Sequence, residues 1–437
     1  MDIKTVSVIG ANGTMGATVS GLIAAFGGAK VFMVCRKMEA AQKAVEVAAN
    51  SIKAGSVRER LIPKTYDDFE DCISQSDWVF ESVAETVAIK SDIYQRIDKC
   101  RKPGLIVTTG TSGFSINELA KNFGEDGQKR YFGTHFFNPP YSLPLCEVIR
   151  SDKTDPKLFD EMSEYLKKVL YRDVIETTDT AAFLGNRIGF HFMNKALQYA
   201  VKYQKQGGID YIDAILGPYT GRGMTPITTV DFVGLDVHKA IVDNIQQKSN
   251  DYDNAAFVLP EFVNELIAQG KLGRKVKDGL YKMVVNEDKS KQLMVFDIAT
   301  KALRPVKKYD LPFASEMVKE LKMGNYPQAL KILKDDMSEE AKLCKFFLVT
   351  YITYSIVIAQ SVSPQITDAD IAMSKGFNWI GPVALMEALG GYAEVLKMAK
   401  QVDLEGSLVK ELQGIEDKNK KPMAVPFDYR KYLRANL

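Results

Sequence analysis

Thr5-Val-Ser-Val-Ile9 is followed at once by Gly10-Ala-Asn-Gly13-Thr-Met-Gly16, then by the helix-like run Ala17–Phe26 and a second β-rich run, Val31–Val34. Strand, glycine turn, helix, strand is the opening of a dinucleotide-binding, Rossmann-like fold. Glycines let the backbone turn tightly and approach a pyrophosphate, whose charge then lies at the helix N-terminus. Gly10, Gly13, Thr14, Met15 and Gly16 are the expected cofactor contacts; the alternative is a plain structural βα turn. The turn departs from the usual pattern in two ways. One extra residue separates the first two glycines of Gly-x-Gly-x-x-Gly. The second strand, which normally ends in an acid for the ribose hydroxyls, ends in Cys35-Arg36-Lys37. A missing carboxylate followed by two cations suits a ribose 2′-phosphate and leans towards NADP(H). The alternative is that Arg36 and Lys37 begin a solvated helix.

The 437 residues are too many for one ordinary core and imply about two to four domains. A composition 46% hydrophobic and 26% charged is that of a soluble globular protein. The net charge of +2 gives no reason to expect nucleic acid as a partner. Five scattered cysteines, odd in number and without metal-ligand spacing, fit reduced thiols in a cytosol; no metal site is expected. No charged-then-apolar leader opens the chain. No apolar run is expected to approach membrane-spanning length; the nearest, Phe346–Val362, carries Thr, Tyr, Ser and Gln and suits a buried core helix.

The chain has three histidines, and one lies in His135-Phe-Phe-Asn138-Pro139 with Glu147 downstream in Leu-Cys-Glu-Val-Ile. Tyr131–Phe137 and Leu145–Ile149 read as two short strands, joined by a proline-containing turn. Such a turn can bring His135 and Glu147 side by side. A carboxylate on one imidazole nitrogen fixes the tautomer and leaves the other free to move a proton. A structural His–Glu hydrogen bond near a strand end is the alternative. His191 and His238 sit in no matching motif and read as structural.

Four ordered segments beyond the glycine turn resemble the 3-hydroxyacyl-CoA dehydrogenase family. They are Asp77-Trp-Val-Phe-Glu81-Ser-Val-Ala-Glu85-Thr-Val-Ala-Ile-Lys90; Ile106-Val-Thr-Thr-Gly110-Thr-Ser112-Gly-Phe-Ser-Ile116; His135-Phe-Phe-Asn-Pro with Glu147; and Asp179-Thr-Ala-Ala-Phe-Leu-Gly-Asn186-Arg187. The resemblance implies reversible oxidation of a (3S)-3-hydroxyacyl-CoA to the 3-oxoacyl-CoA by hydride transfer to NAD(H), in fatty-acid breakdown or a related pathway. It makes His135 the general base and Glu147 its orienting carboxylate. Ser112 and Asn186 would bond the reacting region, Asn138 would be a further substrate contact, and Glu85 and Lys90 would lie near the nicotinamide ribose. Read from the residues alone, Thr111 and Ser112 could cap a helix Ile116–Phe123, Glu85 could be a first-turn acid, and Asn186 a polar residue early in a helix. Gly110 stands where the family has Asn, Gly113 where it has Ser, and Ala181-Ala182 where it has Pro-Gly. A cyclic or branched hydroxyacyl-CoA and a catalytically silent nucleotide-binding protein are the competing readings. Lys53, Arg58, Arg60 and Lys64 are candidate cations for CoA phosphates, or a solvated surface.

Beyond residue 180 the pattern turns helical, with few strand runs. Ile209–Asp213, Pro226, Asp231 and Gly234 are echoed by Ile366–Asp370, Pro382, Glu387 and Gly390, each set preceded by a long helical stretch, Arg187–Gln204 or Glu339–Gln360. The expected architecture is an α/β Rossmann-like domain (1–180) and two all-α domains related by internal duplication (181–285 and 337–437). A charged connection (286–336) joins them, with Arg304-Pro-Val-Lys307-Lys308 as solvated linker. The resemblance implies that the second copy takes the place of a dimer partner, a homodimer remaining the alternative, and that no enoyl-CoA hydratase domain is fused. No membrane partner and a cytoplasmic location complete the expectation.

Overall fold

The computed structural model describes residues 1–402 together with Lys410 and Gln413. The rest of the second helical domain expected over 403–437 lies outside the described residues. Two compact units result: Met1–Phe183 with Val362–Pro364, and Leu184–Ser361 with the segment from 365 onward.

In the first unit β1 (Thr5–Ile9), β2 (Lys30–Cys35), β3 (Leu61–Thr65), β4 (Trp78–Glu81), β5 (Ile106–Thr109), β6 (Tyr131–Phe136), β7 (Leu145–Arg150) and β8 (Asp173–Glu176) form one sheet. Their order is β3-β2-β1-β4-β5-β6-β7-β8. β1 to β6 run parallel, and β7 turns back against β6 with β8 parallel to it. A parallel sheet is covered on both faces, so its strands are apolar on both. Along β2, Val31, Met33 and Cys35 join one core with Leu22 and Ile23, while Phe32 and Val34 join another with Ile93 and Ile97. The chain leaves β1 for β2 on one side and reaches β4 on the other. The carboxyl ends of these strands therefore border the crevice where such folds bind ligands.

Ala181-Ala182 has a conformational consequence. Ala182 and Phe183 both adopt left-handed backbone, with φ of 60° and 53°. An alanine thus holds a conformation that glycine adopts more easily.

The second unit is largely helical, but it corrects two expectations. The segment 286–336 is structured. β9 (Tyr281–Val285), β10 (Lys291–Asp297) and β11 (Ala302–Pro305) make an antiparallel sheet across the expected 285/286 boundary. Helices Pro312–Met323 and Tyr326–Asp335 follow. Arg304 is not a solvated linker residue: its guanidinium pairs with Asp210 at 2.6 Å and Asp297 at 3.1 Å. The helix Glu339–Val362 has 24 residues and the apolarity of a membrane span, against the expectation that no run approaches that length; 83% of its most apolar window is buried inside the protein, as in a core helix.

The echo between the two halves recurs as a contact. The Asp213 carboxylate accepts from the Ile227 and Thr228 N–H groups, just after Pro226. The Asp370 carboxylate accepts from the Val383 and Ala384 N–H groups, just after Pro382. In each half a buried acid from one helix caps the next, where the first N–H groups lack partners. The loops before these prolines pair with each other. Arg222 and Trp379 form an antiparallel bridge, and the Ile380 N–H donates to the Gly221 carbonyl at 2.6 Å. Equivalent segments meeting each other is the pattern of a two-fold dimer contact. The helix Gly185–Lys202 packs on Glu339–Val362 through Phe192 against Phe347 and Tyr351.

His191 and His238 are buried here. His191 bonds Asp253 at 2.7 Å and stacks on Tyr354 at 3.6 Å; His238 bonds Asn194 at 3.1 Å. Burial lowers His191 from its ordinary 6.5 and pushes His238 down to about 3. Below pH 6.5 the unfolded chain therefore binds more protons than the folded one. Stability is present above that pH and is lost as the pH falls towards the folded values. The unfolding free energy between roughly pH 6 and pH 4 should fall by about 1.4 kcal/mol per pH unit on account of His238, as denaturation curves would show. A His238→Leu variant should show a shallower slope.

Candidate active site

Antiparallel pairing sets His135 of β6 directly opposite Glu147 of β7. The His135 Nδ1–H donates to Glu147 Oε2 at 2.7 Å. The carboxylate is fully buried and the imidazole nearly so, at 4% exposure. Phe137 and Phe183 flank the ring at 4.6 Å and 5.6 Å between centroids. Asn138 begins the loop after β6 and is exposed.

At the β1/β4 switch lies a cavity of about 760 Å³. Gly10, Asn12, Gly13 and Arg36 line one side; Ser82, Val83, Ala84, Asp92 and Arg96 line another. A Cβ on Gly10, whose φ is 80°, would stand 2.6 Å from the Ser82 carbonyl oxygen. One on Gly16 would stand 2.5 Å from the Gly10 carbonyl oxygen. The turn is thus closed against backbone on both sides. Gly13 is the N-cap of the helix Thr14–Phe26; Thr14 is exposed at its first position, followed by half-buried Met15. Cys35 is buried at the end of β2, and burial raises its thiol, so the strand end carries no negative charge. Arg36 reaches the cavity. Lys37 is exposed and does not line it.

A second constellation joins the ends of β4 and β5. Glu85 Oε1 accepts from the Ser112 N–H at 2.8 Å, and Oε2 accepts from Thr111 Oγ1 at 3.0 Å. Lys90 is enclosed, at 1% exposure, with its ammonium 2.8 Å from Glu81. Its ammonium is also 3.5 Å from Glu85. Two structural readings are corrected. Thr111 and Ser112 do not cap the next helix, which is Ile116–Ala120; Ser115 and Asp179 do, Asp179 accepting from the Ile116 and Asn117 N–H groups. Glu85 precedes the helix Val87–Cys100, whose first turn holds no acid. Asn186 is buried at the second position of the helix Gly185–Lys202 in the other unit. Of the candidate CoA cations, Arg58 pairs with Glu46, Arg60 donates to the Ala24 carbonyl and Lys64 pairs with Asp68. Lys53 is exposed.

Residues that motif reading passed over are Arg96, Tyr66, Asp179 and, as a buried anchor, Glu81. Arg96 lies over the Phe69 ring at 4.3 Å, and with Tyr66 it lines the cavity. Only the i, i+4 spacing of Asp92 and Arg96 on one helix hinted at it. Among the described residues no acid, histidine and cysteine cluster could hold a metal.

A doubly wound sheet, a glycine turn closed on backbone and a cavity at the switch point define a dinucleotide-binding domain joined to a helical domain. The family model for the 3-hydroxyacyl-CoA dehydrogenase NAD-binding domain matches residues 5–180, and that for the C-terminal domain matches 183–283. A probable 3-hydroxyacyl-CoA dehydrogenase of Deinococcus radiodurans is 31% identical over 307 residues, covering 66% of this chain and 85% of that protein. One of Bacillus subtilis is 30% identical over 76% of this chain; the chain spans only 41% of that protein's length. Among solved structures, the 3-hydroxybutyryl-CoA dehydrogenase of Escherichia coli aligns over 96% of this chain and 100% of its own, with a TM-score of 0.71 at 19% identity, a likeness of fold. The chain belongs to the 3-hydroxyacyl-CoA dehydrogenase family.

Its first unit is a nicotinamide-dinucleotide-binding domain, and the backbone-closed turn fits a pyrophosphate. Gly10→Ala should weaken binding of a reduced nicotinamide cofactor by roughly tenfold or more, because a methyl at 2.6 Å from backbone forces the turn open. Titration of cofactor fluorescence measures this.

Proposed function

We propose that the chain reversibly oxidises a (3S)-3-hydroxyacyl-CoA to the 3-oxoacyl-CoA. The observation that carries the reading is the His135–Glu147 pair on β6 and β7 of a nicotinamide-binding sheet. A bound nicotinamide would supply two-electron exchange with carbon 3 of the substrate. Gly10, Gly13, Thr14, Met15 and Gly16 would hold its pyrophosphate, and Glu85 its nicotinamide-side ribose. His135 takes the hydroxyl proton on Nε2, since Glu147 engages Nδ1 and stabilises the imidazolium that forms. The Ser112 N–H is committed to Glu85, which leaves the hydroxyl for the reacting oxygen. Asn186 and Asn138 remain the other assigned substrate contacts.

For the cofactor we favour NADP(H) over the family's NAD(H). Two guanidinium groups, Arg36 and Arg96, line the cavity with one carboxylate, Asp92; Arg96 is paired with Glu70 at 2.9 Å, so Arg36 is the cation that carries the argument, and a neutral thiol ends β2. This replaces the pairing of Arg36 with Lys37 inferred from sequence. The second helical copy stands in for a partner subunit, as the pairing of equivalent loops supports. Five free cysteines suit a cytoplasmic location.

The test is reduction of acetoacetyl-CoA, with NADH and NADPH in parallel. Turnover is expected, with NADPH preferred and Arg36→Ala abolishing the preference. Activity only on a cyclic or branched 3-oxoacyl-CoA would move the reading to that substrate; no activity on either would make the chain a silent binding protein. His135→Ala should lose about 10²- to 10⁴-fold in kcat while still binding cofactor. Near-normal turnover of that variant would remove the assigned mechanism.

A further inference from the structure

The Glu81 side chain is fully buried at the end of β4 and takes no part in the proposed chemistry. Its Oε1 accepts from Lys90 Nζ at 2.8 Å and from the Val83 N–H at 2.7 Å. Its Oε2 accepts from Lys90 Nζ at 3.0 Å, from Thr109 Oγ1 at 2.8 Å and from the Tyr94 hydroxyl. Burial and then the neighbouring carboxylate push the Tyr94 hydroxyl well above its ordinary range, so it stays a donor. The Tyr131 hydroxyl donates to Tyr94 from behind. Glu81 is therefore saturated, with its position over-determined from β4, β5 and the helix Val87–Cys100.

Glu85 stands next to this cluster. It is 46% exposed in its side chain, and its Oε2 is 3.5 Å from the same Lys90 ammonium. Thr111 and the Ser112 N–H depend on Glu85, and Thr111 Oγ1 in turn accepts from the Phe114 N–H at 3.1 Å. A buried ammonium with two carboxylates in reach is shared by distance. It lies 2.8 Å from Glu81 and 3.5 Å from Glu85. With Glu81 neutral, Glu85 would be the only carboxylate left to an otherwise uncompensated buried charge.

We propose that Glu81 is a positioning residue for the reaction: by occupying the Lys90 ammonium it leaves Glu85 to hold Thr111 and the Ser112 N–H, and so sets the place of the Ser112 hydroxyl. The proposal rests on the dehydrogenase reading for its kinetic consequence, and on geometry alone for its effect on the loop.

The test compares the wild-type chain with Glu81→Gln and with the charge-neutral double variant Glu81→Gln/Lys90→Met. Glu81→Gln should lose roughly 10- to 100-fold in kcat on acetoacetyl-CoA, the effect of displacing a reacting group by an ångström or less. Amide hydrogen exchange at Ser112, read without cofactor or substrate, should quicken by about tenfold as its bond to Glu85 is lost. The double variant should recover slow exchange at Ser112, because the ammonium that draws Glu85 away is gone. A merely structural Glu81 gives the opposite order, the double variant being worse than the single. That result overturns the proposal, as does Glu81→Gln with unchanged Ser112 exchange. Should Glu81→Gln not fold, the double variant decides alone: slow Ser112 exchange supports the proposal, and fast exchange overturns it. If the wild-type chain turned over no acyl-CoA, the dehydrogenase reading would fail and the exchange experiment would still judge Glu81.

Discussion

The register between β6 and β7 is the constraint on which the site depends. Side chains alternate across a sheet, so a slip of one residue would turn His135 and Glu147 to opposite faces. In the observed register they face each other, and a fully buried carboxylate gains the charge-assisted partner without which its burial would be costly. Pairing and chemistry therefore reinforce each other. The hydrogen bond that stabilises the buried acid also fixes the imidazole tautomer. The reversal of strand direction needed for this pairing is made by the loop 137–144, whose prolines cannot extend either strand.

Glu81 at the end of β4 is governed by the same rule. A parallel sheet covered on both faces leaves its strand interiors apolar, and charge is tolerated mainly at the carboxyl ends, where loops and helix starts supply donors. Glu81 meets four donors there, from Val83, Lys90, Tyr94 and Thr109, and Lys90 is buried with it. The polar residues of the site thus sit at the sheet rim for a solvation reason before any catalytic one. The glycine turn completes the rim by bringing backbone to within contact distance of the loop after β4.

Much of this was legible in the residues, because the informative features were local. The glycine turn, the two short strands around Asn138-Pro-Pro and the paired proline–acid–glycine spacings each lie within a stretch short enough to read. What stayed hidden was long-range. Asp179 caps a helix more than sixty positions before it, and the chain offers no local sign of that partnership. Arg96 belongs to the cavity only because its helix runs past the end of β2. Strand β9 was read into the first helical domain, and β10 and β11 into a charged connection, because Met283, Val285 and Leu293 are exposed, so no apolar alternation with a buried face marked the strands. Arg304 looked solvated for the same reason: its partner Asp210 is distant in sequence.

The duplication explains an asymmetry within the helical unit. Both halves keep the capping acid, Asp213 or Asp370, because each needs it to close the helix that follows its proline. In the first half Arg187 is tied to Asp251 at 2.9 Å, and Asp251 also accepts from the Tyr354 hydroxyl of the second half at 2.6 Å. The second half thus contributes a hydroxyl that steadies the polar pair of the first, while its own long helix supplies apolar core residues such as Phe347 and Ile352. A contact that two identical subunits would have to make symmetrically can here be made once. Each half is free to change on its own, one keeping polar groups and the other filling the interior that holds them in place.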